Sequence, residues 1–516
     1  MKMNKLYISL LAVTMLPLGM VSCSEDTMDD INRDMDHTTS APSKFIFADV
    51  LTSTAFYSVG GDLNTYGSIY VEHEAGVDNQ LLRAEMRTGE PTMPSTFNNV
   101  WGNLYSTLKN AKIVIEKSYT DNDLFARAAG QIMFAYNAAI ITDMFGSVPF
   151  TEALSISNLQ PNLDTQETIY KAINDSLDAA IAILKTEPSN SMGNYDFMYG
   201  GNSGSWLKFA NGLKARYTMR LLARSSNETS DLEKVIEYCD NSFTSAAEQA
   251  AFNVYDASNL NPLFDFEWSR DGLSASKSAY DKFFERNDPR INRIYFDSNF
   301  WVHYTSADIE DPENGIELFE NGTSAGIKYY YPYTVYMYAQ LASTLLQSYH
   351  EILFLKAEAL CRLNRAAEAE SILKEAIEVA FANTEASVIG AMKAPSVLQY
   401  GGLEDITDGA LTTADADNYF DNNVKPLFDA NPLKEVMIQK YLAFWGASGE
   451  STETYNDIRR MKALGEDFIT LANPNKFPLR CPYGSDDVLA NPNVSAAQGD
   501  GQFVYTENVW WAGGSR

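Results

Sequence analysis

Histidine is nearly absent from this chain, four in 516 residues, which leaves few imidazoles for general-base or metal chemistry. Cysteine is as rare. Cys23, Cys239, Cys361 and Cys481 follow no metal-ligand spacing, and with Cys23 set apart the remainder is odd in number, so neither a disulfide framework nor a zinc site is expected. Positive charge is the third shortage: Lys and Arg total 39 against 68 Asp and Glu, a net charge of −29. That balance argues against nucleic acid as a partner and against a body lying on anionic lipid. Long apolar runs are missing beyond the first residues, so no later segment is expected to cross a bilayer. Enzyme signatures are missing too. His350-Glu351 opens like a zinc-protease helix, but Phe354 stands where the second histidine belongs. Gly446-Ala447-Ser448-Gly449-Glu450 breaks the nucleophile-elbow spacing, and no phosphate- or dinucleotide-binding glycine pattern occurs. No metal or cofactor is expected. Glycoside hydrolysis stays as an alternative because it needs only two carboxylates about 5 to 10 Å apart, and acids abound.

What is present begins at the N-terminus. Met1-Lys2-Met3-Asn4-Lys5 is a short basic start, and the apolar run Leu6 to Met20 follows, interrupted by Pro17 and Gly19. Residues 1–22 read as a secretory signal. The run ends at Val21-Ser22-Cys23 and resembles a lipoprotein processing site cleaved before Cys23, with Met20 where leucine is usual. Acyl chains on Cys23, each contributing roughly 0.8 kcal/mol per buried methylene, give a stable hold on a lipid bilayer. Ser24-Glu25-Asp26 and Met28-Asp29-Asp30 make residues 23–43 an acidic stretch resembling the export tag of surface lipoproteins; a solvated linker is the alternative. Loss of Lys2 and Lys5 with the signal moves the charge from −29 to −31. Residues 44–516 contain no Pro/Ser-rich linker and read as a single domain with insertions.

Helical signals come in pairs. Phe97 to Lys117 carries Val100, Leu104, Leu108, Ala111 and Ile115 on one stripe, and Leu124 to Phe145 follows a short break. Thr165 to Lys185 pairs with Ser205 to Arg224, Leu345 to Leu363 with Ala366 to Phe381, and Leu433 to Phe444 with Thr452 to Leu464. In the third pair Ala357, Ala369 and Ala376 stand where tetratricopeptide helices need small residues, and Leu353, Leu360 and Leu373 hold the large positions. The expected fold is mainly α, a tetratricopeptide-like scaffold of helix pairs.

Residues 250–344 break this rhythm and gather aromatics: Phe264, Phe266, Trp268, Phe283, Phe284, Trp301, Tyr304, and then a run from Tyr329 to Tyr338. A second stretch, 385–431, is polar with Gly401-Gly402. Both are expected to be long irregular insertions, the kind of loop that often carries function. Trp268, Trp301 and Tyr304 offer faces for the apolar C–H surface of sugar rings, and Arg270 offers donors for hydroxyls. Core packing is the other reading of the tryptophans, and core or a protein interface the other reading of the tyrosine run. Tyr66, Tyr70, His73, Asp78, Asn79, Arg83 and Arg87 form a second mixed aromatic and polar group, in which a lone His73 also suits a satisfied core position. Asp308, Glu310, Asp311 and Glu313 resemble a cation loop, but Pro312 spoils the spacing and a solvated loop is expected.

Five motifs in order carry a family resemblance: Trp101 with Tyr105 and Asn110; Asp143-Met144-Phe145-Gly146-Ser147-Val148-Pro149-Phe150 with Glu152-Ala153; the helix from Glu351 to Ala359; Ile438-Gln439-Lys440-Tyr441 with the run from Glu453 to Arg460; and Phe477-Pro478-Leu479-Arg480 with Pro482-Tyr483 and Asn491. Together they resemble the SusD/RagB family of outer-membrane nutrient-binding lipoproteins, its SusD-like branch in particular. The usual Thr-Gly-x-Pro turn after the double arginine is replaced here by Met461-Lys462-Ala463-Leu464. The motifs themselves read as scaffold: Gly146 and Pro149 as a helix stop and exit, Arg459 and Arg460 as structural cations. The resemblance implies an exterior-facing lipoprotein that captures a nutrient, a glycan or in some relatives a peptide, and passes it to a TonB-dependent, SusC-like barrel beneath it. It also implies ligand contacts near residues 66–87. A glycan-splitting enzyme and a purely structural surface protein are the competing readings.

Overall fold

The computed structural model describes residues 41–155, 157–399 and 409–515. The signal segment, Cys23 and the acidic stretch through Ser40 lie outside them, as do Gly401 and Gly402. Residues from Ser43 onward form one unit, built on the helices of the four expected pairs. Three pairs pack as expected, Asn98–Thr120 with Leu124–Phe145, Gln166–Leu184 with Ser203–Arg220 and Tyr349–Arg362 with Ala366–Met392, whereas the helices of the fourth, Pro432–Ala443 and Ser451–Ala463, pack mainly on Tyr349–Arg362 and on Asp62–Tyr70.

Local chemistry starts these helices. The Asp123 carboxylate accepts the Ala126 N–H at 2.9 Å, Asn202 that of Ser205 at 3.0 Å, and Ser348 that of Glu351 at 3.1 Å. Each such cap stabilises its helix by about 1 kcal/mol. Gly146 ends the first pair at φ +78°, its N–H bonded to the Thr142 carbonyl at 2.7 Å. A β-carbon there would meet the Arg480 guanidinium at 2.7 Å, so the glycine serves both the turn and that packing.

Leu124–Phe145 is, by length and composition, apolar enough to cross a membrane, contrary to the sequence expectation. Its position explains its composition: it packs between Asn98–Thr120 and Gln166–Leu184 as the core helix of the frame. In the third pair Ala357, Ala369 and Ala376 are buried beside Leu353, Leu360 and Leu373, the close approach that small residues allow. A further helix, Glu228–Asp240, bridges Ser203–Arg220 and Tyr349–Arg362. Its Asn227 cap and its stripe of Leu232, Val235, Ile236 and Cys239 were both readable in the sequence.

Charge also holds the frame. Arg216 grips Glu351 at 2.5 Å, and Arg220 bridges Asp143 at 2.6 Å and Glu453. Arg460 binds Glu358 at 2.6 Å and Asp457 at 2.9 Å, while Lys440 reaches Asp457 at 2.7 Å. Arg459 donates to the carbonyls of Asp143 and Leu479, on other segments rather than at its own helix end. Burial alone would raise the Glu358 carboxyl, but Arg460 and Arg362 outweigh it and hold it down at about 2.

The aromatic insertion is closed at its base, where Ala250–Phe252 pairs antiparallel with Thr344–Gln347. Within it Tyr295–Phe296 pairs with both His303–Tyr304 and Tyr333–Thr334, and Leu273–Ala275 pairs with Glu74–Gly76 of the N-terminal region. It is less irregular than expected: Pro262–Arg270 and Lys277–Phe284 are helices, capped by Asn261 and Ser276. The described residues of the second expected insertion are largely helical. Ala366–Met392 runs through its first residues, and Thr413–Tyr419, a π-helical turn at Phe420–Val424 and Lys425–Ala430 fill its end.

Candidate carbohydrate-binding groove

Helix Pro262–Arg270 divides its side chains cleanly. Leu263, Phe264 and Glu267 point into the body, while Asp265, Trp268 and Arg270 are exposed. The Trp268 ring is 41% exposed and lies nearly parallel to Phe264, with centroids 5.4 Å apart and an 18° tilt. Tyr338 meets it edge-on at 6.0 Å, and Phe300 lies against Tyr338 at 3.5 Å. A partly exposed indole supported by other rings is of the kind that stacks on sugars.

Two cavities meet at Arg270. The smaller, about 230 Å³, is lined by Asp78, Asn79, Arg83, Phe266 and Arg270. The larger, an open cleft of about 700 Å³, is lined by Tyr57, Asp62, Asn98, Asn99, Asn103, Asp265, Arg270 and Asp486. Carboxylates, amides and one guanidinium around an exposed tyrosine supply hydroxyl partners of both senses. Arg83 is oriented by Glu90, at 2.6 and 3.2 Å, and Asp78 caps helix Asn79–Glu85 while accepting from Lys328 at 3.1 Å. Burial raises the Asp62 carboxyl, and the nearby Arg270 charge opposes it.

The structure therefore joins three of the sequence candidates, Asp78, Arg83 and Arg270, around one cavity, with Trp268 on the same helix as Arg270. It places others elsewhere. Tyr66 and Tyr70 are core residues, each 3% exposed, with Tyr66 packed on Phe97 at 5.0 Å. His73 is fully buried; Nε2 meets the Tyr441 carbonyl at 3.0 Å, which puts the proton there, and Nδ1 accepts from the Ser451 hydroxyl at 2.9 Å. Burial pushes its pKa down to about 3, so it is a neutral structural imidazole rather than a ligand contact. Trp301, 63% exposed on the turn between Tyr295–Phe296 and His303–Tyr304, lines neither cavity, nor does half-buried Tyr304. The tyrosine run splits: Tyr333 and Tyr336 are core, Tyr329 and Tyr330 are exposed. Asp308 closes a capping box with Thr305, and Glu310 accepts from Tyr280, so the acidic loop is structural.

Tyr57, Asp62, Asn98, Asn103 and Asp486 escaped the sequence reading. Asn98, Asn99 and Asn103 at the start of an amphipathic helix were a signal, as amides on its solvent face.

A family model described as starch-binding and associating with the outer membrane matches residues 83–483. Among solved structures, a SusD/RagB family protein from Bacteroides thetaiotaomicron is 49% identical, covering 92% of this chain and 100% of its own, with a TM-score of 0.86. A chitin-binding protein at 21% identity (TM-score 0.67, covering 90% and 99%) and a Bacteroidetes SusD-like protein at 18% (TM-score 0.69, covering 90% and 99%) share the fold. No curated protein matches. With a family match over most of its length and a relative 49% identical over 92% of it, this chain belongs to the SusD/RagB family of SusD-like outer-membrane proteins.

Proposed function

We propose that the chain is a surface lipoprotein, held by acylated Cys23, that binds an oligosaccharide in the groove around Arg270 and passes it unchanged to a TonB-dependent barrel. The observation that carries the glycan reading is the partly exposed Trp268, stacked on Phe264 on the same helix that brings Asp265 and Arg270 to a cleft lined by carboxylates and amides. The family description, starch-binding, makes α-glucan oligosaccharides the first ligands to try. Peptide is the second reading, and it rests on the charge of Asp62, Asp265 and Arg270, which also suits backbone amides. Calorimetry with starch and chitin oligosaccharides and with short peptides separates the two: saturable heat with a sugar and none with peptides supports the glycan reading, and the reverse removes it. New reducing ends after incubation, lost when one groove carboxylate is replaced, would show an enzyme instead.

A further inference from the structure

On a part of the molecule that shares no lining residue with the groove, the acidic chain holds a cationic pit. This cavity, about 140 Å³, lies between Lys277–Phe284, Pro432–Ala443 and the segment Phe468–Thr470. Lys282 and Lys434 line it with Arg286 and Glu285; Ile438 and Phe468 give it apolar walls. Arg286 is neutralised by Glu435, two contacts at 3.2 Å. Lys282 has no such partner among the described residues. Its ammonium donates to the Ser278 hydroxyl at 2.7 Å and the Ser278 carbonyl at 3.1 Å and lies 5.4 Å from the Tyr441 ring. The acids that act on it, Glu72, Asp281 and Glu285, do so from beyond ion-pair distance. Two of these are engaged elsewhere: Glu72 accepts the N–H groups of Ala472 and Asn473, and Asp281 pairs with Lys277 at 2.6 Å. A partly buried cation facing a cavity whose one lining carboxylate, Glu285, stays beyond ion-pair distance gains more from an arriving anion than a solvated lysine would. The apolar walls suit a compact ring behind the charge.

We propose that this pit binds a small organic anion, a carboxylate or sulfate carried on a compact ring such as an acidic sugar. The test titrates the full-length mature chain with sodium glucuronate, glucose and sodium sulfate at fixed ionic strength, followed by ligand-observed NMR. Glucuronate is expected to bind and glucose not. Lys282→Met is expected to weaken glucuronate at least tenfold, and Lys434→Ala, at an exposed position that does not threaten folding, about threefold. Glu285→Gln is expected to tighten it, while Trp268→Ala leaves it unchanged even if the groove proves to have another role. Glucuronate binding no better than glucose, inorganic sulfate alone binding, or indifference to both the Lys434 and Glu285 changes would overturn the proposal.

Discussion

Two acids in and under the aromatic insertion, Glu74 and Glu267, are buried differently from those of the helical frame, although the insertion also holds a buried ion pair, Asp288 with Arg290. In the frame, Glu351, Glu358, Asp143 and Asp457 each touch an arginine or lysine. In and under the insertion, Glu74 and Glu267 are just as deeply buried but are held by neutral donors: Thr334 and Trp445 for Glu74, the Gly272 and Leu273 N–H groups for Glu267. Burial, unopposed by a cation, pushes both carboxyls up to about 8, and in Glu267 the neighbouring charges of Asp271 and Glu74 add to it. The frame is thus fixed by ion pairs that resist change, and the surface carrying Trp268 rests on groups whose charge state varies near neutrality.

The largest effect tests the frame. Arg460→Ala leaves Glu358 and Asp457 buried with less compensation, and removal of one partner from a buried pair costs about 3 to 5 kcal/mol. Denaturant unfolding should show a loss of that order, with little change in oligosaccharide affinity for the protein that stays folded. Trp268→Ala is the mirror image. Its ring is two-fifths exposed, so stability should change little while oligosaccharide affinity falls tenfold or more, about 1.4 kcal/mol. If both variants lose stability alike, the division between frame and binding surface is wrong.

The frame was the readable part. Caps such as Asp123 and Asn202 and the alanine and leucine offsets of the third pair are local signals, and local signals survive in one sequence. The groove was only partly readable. It is assembled from residues near 57–62, 78–83, 98–103, 265–270 and 486, and nothing in a single chain says that these meet. Composition also misled: Tyr66, Tyr70 and His73 have the same mixture of ring and polar atom as a sugar site, yet all three are buried in the core, Tyr66 bonded to Glu90 and His73 to Ser451 and Tyr441. The helices at 262–270 and 277–284 were hidden by their shortness, although Asn261-Pro262 is a helix start.

Acid and base should separate the two regions. Glu74 and Glu267 hold protons in the folded chain up to about pH 8, whereas the unfolded chain releases them in the usual carboxylate range. Their contribution is therefore full at low pH and is lost as pH rises through about 8. Glu358, held at about 2, works the other way, contributing above the usual carboxylate range and losing its contribution as pH falls toward 2. Glu74→Gln keeps an acceptor for Thr334 and Trp445 and cannot ionise. Its melting temperature should decline less than that of the parent between pH 5 and pH 9, by about 2 °C or more. Parallel curves would mean that Glu74 ionises as freely folded as unfolded.

Trp301 offers the smallest and most diagnostic change. It is more exposed than Trp268, yet its turn is held by its own backbone, with the N–H groups of Trp301 and Val302 both donating to Asp297. Replacing the ring removes nothing that the core uses, so Trp301→Ala should leave the melting temperature within about 1 °C. It stands on the hairpin and not on the helix that carries Asp265 and Arg270 to the cavities, so affinity for a short oligosaccharide should change less than twofold. A long polysaccharide is a different probe, because a chain leaving the groove has further surface to touch. If Trp301→Ala weakens polysaccharide but not trisaccharide, the binding surface extends from the groove onto the hairpin; if it weakens the trisaccharide tenfold, Trp268 is not the centre of the site.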